Sequence, residues 1–139
     1  AIPLLVSFIP MLMDTGGNCG SQSSTLIIRG IALGEIQFSD LFRVMFKEFR
    51  VSLIVGVALA LANGIRILIM YKNAGLALVI GLSLVATIVI SKLIGCVLPL
   101  IAKKLHMDPA IMASPLITTL VDTCSILIYF NIATQVFQL

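Results

Sequence analysis

The sequence predicts an all-α membrane protein, a bundle of four transmembrane helices. Its 139 residues are 60% hydrophobic and 11% charged, against roughly 45–50% and 25% in soluble domains. The mean hydropathy of +1.17 agrees. Four apolar runs are long enough to cross a bilayer, which takes about 20 residues of helix for a hydrocarbon core of about 30 Å. They are also too long and too uniformly apolar for barrel strands, which alternate over about ten residues. Helices then satisfy the backbone inside lipid.

Segment one covers about residues 2–33 and carries a polar stretch at its centre, MDTGGNCGSQSST (13–25). Asp14, Asn18 and Gln22 recur every four residues, with Gly17, Ser21 and Thr25 on the adjacent line, so both lines follow one side of a helix. The glycines leave backbone carbonyls uncovered, and Pro10 loosens the turn before them. Gly16, Gly20 and Ser24 form a small-xxx-small face that lets another helix come close.

The first connection, GEIQFSDLFRVMFKEFR (34–50), places Leu41, Phe42, Met45, Phe46 and Phe49 at helical spacing among Arg43, Lys47 and Glu48. This suits an amphipathic helix in the membrane interface, capped by Ser39 or Asp40. It suits an ordinary start to segment two equally well. Segment two, about 51–71, has a second small-residue face at Gly56, Ala60 and Gly64. Segment three covers about 75–101 and segment four about 109–132.

Basic residues set the orientation. Arg29, Arg43, Lys47 and Arg50 surround the first connection and Lys103 and Lys104 the third, whereas Arg66 and Lys72 mark the second. The first and third connections are therefore expected in the cytoplasm and the C-terminus outside, as in a multi-pass protein of the inner (plasma) membrane. The chain opens inside an apolar run without a starting methionine, and reads as a fragment that has lost at least one upstream helix. A net charge of +3 is small and is not a nucleic-acid signature. Cys19, Cys96 and Cys124 lack metal-ligand spacing and read as buried small residues.

Charge in hydrocarbon costs about 2.5–3.5 kcal/mol even on the lenient insertion scale. Arg66 and Lys92 are expected to reach the headgroups along their own stems. Asp122 is too short for that, because it lies about 21 Å along the helix from Asp108. Ser114, Thr118 and Asp122 share one face, and Pro115 leaves the carbonyls of Ile111 and Met112 without their usual donors. Segments one and four thus each offer oxygen and no nitrogen or sulfur cluster, a donor set for a hard cation such as Mg²⁺, Ca²⁺ or Na⁺. The plain alternative makes Asp122 a protonated, hydrogen-bonded acid and Asn18 and Gln22 interhelical glue.

The runs MDTGGNCGSQSSTLIIRG and MDPAIMASPLITTLVDTCSILIYF together resemble the transmembrane domain of the MgtE family of magnesium channels and transporters. The resemblance covers nearly the whole chain, and maps its segments onto helices two to five of a five-helix domain. It implies a homodimer in the lipid bilayer with a pore on the subunit interface, lined by segments one and four. It further implies Asp122 as the pore acid, with Gly17, Gly20 and Thr118 giving carbonyls and Asn18 beside them, all holding Mg²⁺ through water. Asp108, and less directly Asp14, resemble acids of the ion path or its cytosolic mouth, where Mg²⁺ can also regulate. Asp108 equally suits an N-cap ahead of Pro109. The family's cytosolic sensor domains and first transmembrane helix are absent from this chain.

The expected function is passive, selective Mg²⁺ conduction, and not an enzyme activity. No GxxxxGK[ST] motif is present to power a pump, and a divalent ion gains about 4.6 kcal/mol per 100 mV of membrane potential. The alternative is a proton- or Na⁺-coupled carrier in which Asp122 titrates, with Lys92 or His106 as relay. An intramembrane aspartyl hydrolase using Asp14 and Asp122 is the weakest reading, since neither acid has a GxGD setting.

Overall fold

The computed structural model describes residues 2–112 and 114–138, leaving aside the side chains of Ile2 and Ser114. Helix α1 (Ile2–Ser7) gives way at Phe8 to α2 (Ile9–Ala32), which has Pro10 in its first turn. There the missing proline N–H removes no intrahelical bond. Segment one is therefore interrupted at Phe8 and not at its polar stretch, which is helical throughout. The glycine carbonyls expected to be uncovered therefore belong to a continuous helix.

Gly34, at φ +74°, takes the left-handed turn that ends α2. The Gly30 carbonyl accepts from the N–H groups of Glu35 and Ile36 at 2.9 and 3.1 Å. A 3₁₀ turn at Phe38–Asp40 follows, closed by the Gln37 N–H donating to Asp40 Oδ2 at 3.0 Å. Helix α3 (Leu41–Tyr71) then runs unbroken. Of the two readings of residues 34–50, the start of segment two is the one observed; no separate interfacial helix forms. Phe42 and Phe46 point outward, 81% and 61% exposed, while Leu41 and Met45 pack inward.

Lys72 closes α3 in the left-handed conformation, and Asn73 Oδ1 accepts from the Leu76 N–H to open α4 (Ala74–Lys104). A second 3₁₀ turn at Pro109–Met112 leads into α5 (Ser114–Phe137). Pro115 falls in the first turn of α5, so it starts the helix and does not kink it. Three of these helical stretches, 38–71, 74–104 and 115–137, are long and apolar enough to cross a membrane. At 24 residues, α2 is about 36 Å long, and only its polar centre sets it apart from them.

The α4 helix is the centre of the bundle, packing against α2, α3 and α5. Its Ser83, Thr87, Ser91 and Gly95 recur every four residues and are all buried. This is a further small-residue face. It meets the predicted one on α2: a Cβ at Gly95 would fall on the Gly20 carbonyl oxygen, and one at Gly16 would collide with Thr87 and Val121. On α3, Gly56 lies against Val85 and Ala60 approaches Gly81, but among the described residues a Cβ at Gly64 would meet no other element within 4 Å. Each four-residue step advances about 400°, so by Gly64 the line has rotated about 80° from Gly56. The contact passes instead to buried Ile67.

Two apolar clusters hold the ends of the bundle. Leu5, Phe8, Leu12, Ile67, Leu76 and Tyr129 belong to one, where the Tyr129 hydroxyl donates to the Leu5 carbonyl at 2.6 Å. Ile27, Val44, Cys96 and Leu100 form the other, below which Lys104 sits 4.2 Å over the Phe38 ring. Arg66 is exposed, as a residue reaching for headgroups requires.

The glycine contacts give a paired prediction. Gly95→Ala is expected to lower stability by about 1–3 kcal/mol through overpacking, and Gly64→Ala to change it by less than about 0.5 kcal/mol. Thermal unfolding of both variants in one detergent checks this.

Candidate functional site

The four-residue repeat on α2 sorts its polar groups to two sides. Ser23 and Ser24 are buried, and Ser24 Oγ donates to the Met112 carbonyl just ahead of α5. This bond ties the entrance of α5 to α2. Asp14, Asn18, Gln22 and Thr25 are exposed on another side. The Asn18 amide donates to Asp14 Oδ2 at 3.3 Å, one turn away.

Five of the predicted residues meet in one place. Asp14, Gly17, Asn18, Thr118 and Asp122, together with Met13, line a groove of about 310 Å³ between α2 and α5. Gly17 lets the helices approach, since a Cβ there would stand 3.2 Å from the Thr118 methyl. A second open cleft continues from Asn18 along Ser21, Gln22, Thr25 and Leu26. The polar line thus follows α2 from the level of Asp122 towards its basic end.

Asp122 itself is half-buried in the groove wall. Every neighbouring hydroxyl on α5 is turned back on its own helix. Thr118 and Thr119 both donate to the Pro115 carbonyl, Thr123 to that of Thr119, and Ser125 to that of Val121. Among the described residues, Asp122 makes no hydrogen bond or ion pair. The reading in which hydroxyls cap it is not what this arrangement contains; the face partner Ser114 lies outside the described side chains.

Two predicted residues are elsewhere. Gly20 faces α4 and α5, with its carbonyl against Gly95, and does not line the groove. Asp108 is exposed, and its Oδ1 accepts from the Ala110 N–H at 3.0 Å, which is the capping geometry. Among the described residues no three His, Cys, Asp or Glu side chains converge as a metal cluster. The groove therefore offers a carboxylate pair, an amide and small residues, suited to an ion that keeps its own waters.

Lys92 departs from expectation. It is 6% exposed and pairs with Glu48, its Nζ lying 3.8 Å from Glu48 Oε2. Reaching the headgroups is replaced by a buried partner, because Glu48 falls on the inward face of α3. Glu48 is four residues beyond Val44 and four before Ser52, and all three lie on the buried face of α3.

A family model described as a divalent cation transporter, MgtE, matches residues 9–132. The chain belongs to the MgtE family. Among curated members it is 42% identical to the magnesium transporter MgtE of Bacillus subtilis over 94% of its own length. It is 37% identical to that of Thermus thermophilus and 35% identical to that of Enterococcus faecalis, over 96% and 95% of the chain. In each case it spans 29% of the relative's length. The family and the long apolar helices make this a multi-pass membrane protein.

A carboxylate without hydrogen-bonding partners contributes little to the fold. Asp122→Asn is expected to change thermal stability by less than about 0.5 kcal/mol, whereas an acid bonded into the bundle would lose about 1–3 kcal/mol. Thermal unfolding in detergent measures the difference.

Proposed function

We propose that the α2–α5 groove is one wall of a passive Mg²⁺ path. A second copy of the chain would supply the opposite wall and a second Asp122. The observation that carries this reading is the uncapped Asp122 in a groove whose other polar groups are all oxygen or amide donors. The magnesium-transporter names of the relatives support the choice of ion.

The division of labour follows from the chemistry. Asp122 attracts the divalent charge, and the low dielectric around it strengthens that attraction relative to water. Asp14 and Asn18, bonded to each other, present acceptors to the ion's hydration shell from the facing helix. Gly17 keeps that wall thin, and the Thr118 hydroxyl is already committed to Pro115, leaving its backbone carbonyl side for water. Mg²⁺ dehydrates reluctantly and holds octahedral waters tightly, so a wall of spaced acceptors suits it better than a tight all-protein cage. Gly20 has no part in this lining. Asp108 is assigned to capping the turn before α5, with Mg²⁺ regulation at the cytosolic mouth as an additional proposed role. The first and third connections are proposed to face the cytoplasm, where Arg29, Arg43, Lys47, Arg50, Lys103 and Lys104 lie at one end of the bundle.

Asp122→Ala is expected to reduce Mg²⁺ uptake into liposomes by at least about tenfold, a factor that needs only about 1.4 kcal/mol. Asp122→Asn is expected to keep the fold and weaken the preference for divalent over monovalent ions. Wild-type uptake is expected to follow the Mg²⁺ gradient and the membrane potential, with no change when a proton or Na⁺ gradient is imposed. Mg²⁺ flux unaltered in both variants would remove Asp122 from the path.

A further inference from the structure

The α2 helix that carries the groove is held from behind by a three-helix charged contact. Ser23 of α2, Glu48 of α3 and Lys92 of α4 are 0%, 7% and 6% exposed. Ser23 Oγ donates to Glu48 Oε2 at 2.7 Å. Lys92 Nζ lies 3.5 Å from Ser23 Oγ and 3.8 Å from Glu48 Oε2. Glu48 also forms part of the wall of a 350 Å³ cleft with Arg29, Gly30, Glu35 and Lys47. The pair is therefore shielded from lipid yet close to the polar end of the bundle.

A buried ion pair is a poor device for stability alone. Removing two charges from water costs more than their attraction often returns, and well-packed apolar side chains of similar size frequently hold a core as well or better. What an ion pair does supply is direction, because only one alignment of three helices brings all three groups together. Ser23 is five residues from Asn18 and one from Gln22 on the same rigid helix, so a rotation of α2 that moves Ser23 swings the polar line by the same angle. The adjoining Ser24–Met112 bond fixes the same turn against the entrance of α5.

We infer that Glu48 and Lys92 are positioning residues for ion passage, holding α2 through Ser23 so that the Asp14–Asn18–Gln22 line faces the α5 carboxylate. This rests on the proposed Mg²⁺ path. No group in the trio touches the ion.

The test separates direction from stability. The apolar pair Glu48→Leu with Lys92→Met is expected to unfold at or above the wild-type temperature while Mg²⁺ flux per folded molecule in liposomes falls by about tenfold or more, the order of loss expected when a reacting geometry is displaced by an ångström. Ser23→Ala, a smaller change, is expected to lower flux in the same direction with the fold intact. Exchanging the charges, Glu48→Lys with Lys92→Glu, is expected to restore most of it. Wild-type flux in the apolar pair, or in Ser23→Ala should the apolar pair not fold, overturns the inference. Asp122→Ala is measured alongside: loss of flux there with wild-type flux in the apolar pair defeats only the positioning role, and normal flux in both Asp122→Ala and Asp122→Asn defeats the path itself.

Discussion

Inside a bilayer no solvent is available to satisfy a polar group, so each one has to find protein, enclosed water or an ion. This chain applies that constraint unevenly. Ser23, Ser24, Glu48 and Lys92 are satisfied by one another and by the Met112 carbonyl. The α5 hydroxyls are satisfied by their own helix. Asp122 is satisfied by neither, and opens onto a groove with Asp14 and Asn18. Among the described residues, the Ser83 and Thr87 hydroxyls are also buried without partners inside the α4 packing face, but Asp122 is the carboxylate left open to a groove.

That groove depends on close helix packing. Gly20 and Gly95 let α2 and α4 meet at backbone distance, and Gly16 accommodates Thr87 and Val121. With α4 buried at the centre, α2 and α5 come side by side, which places Gly17 against Thr118 and the Asp14–Asn18 pair beside Asp122. The small residues of the polar stretch are therefore divided in role. Gly16 and Gly20 pack, while Gly17 thins the groove wall.

Much of this was legible in the sequence. The four helices follow from apolar length, and the Asp14–Asn18–Gln22 side from its four-residue repeat. The depth of Asp122, set by its distance from Asp108, excluded escape to the headgroups. What was not legible turned on partners from distant segments. Gly17 and Gly20 fall on different four-residue lines, but only the position of α4 shows that the Gly20 carbonyl is packed away from the groove. Lys92 looks like an anchor in the sequence because nothing local shows that Glu48, 44 positions earlier, lies within 3.8 Å of it. Residues 34–50 fit two helical placements equally in periodicity, and the unbroken backbone hydrogen bonding of α3 chose between them. The break falls at Phe8, just ahead of Pro10, because proline is accommodated in the first turn of a helix at little cost.

The most direct test of the central claim is a Mg²⁺ titration of the protein in lipid nanodiscs followed by residue-resolved NMR. A groove that receives the hydrated ion predicts saturable shifts at Gly17, Asn18, Thr118 and Asp122, with Gly20 and Gly95 moving little. Shifts restricted to the connections at 33–40 and 105–112, with the groove resonances unchanged, would contradict it.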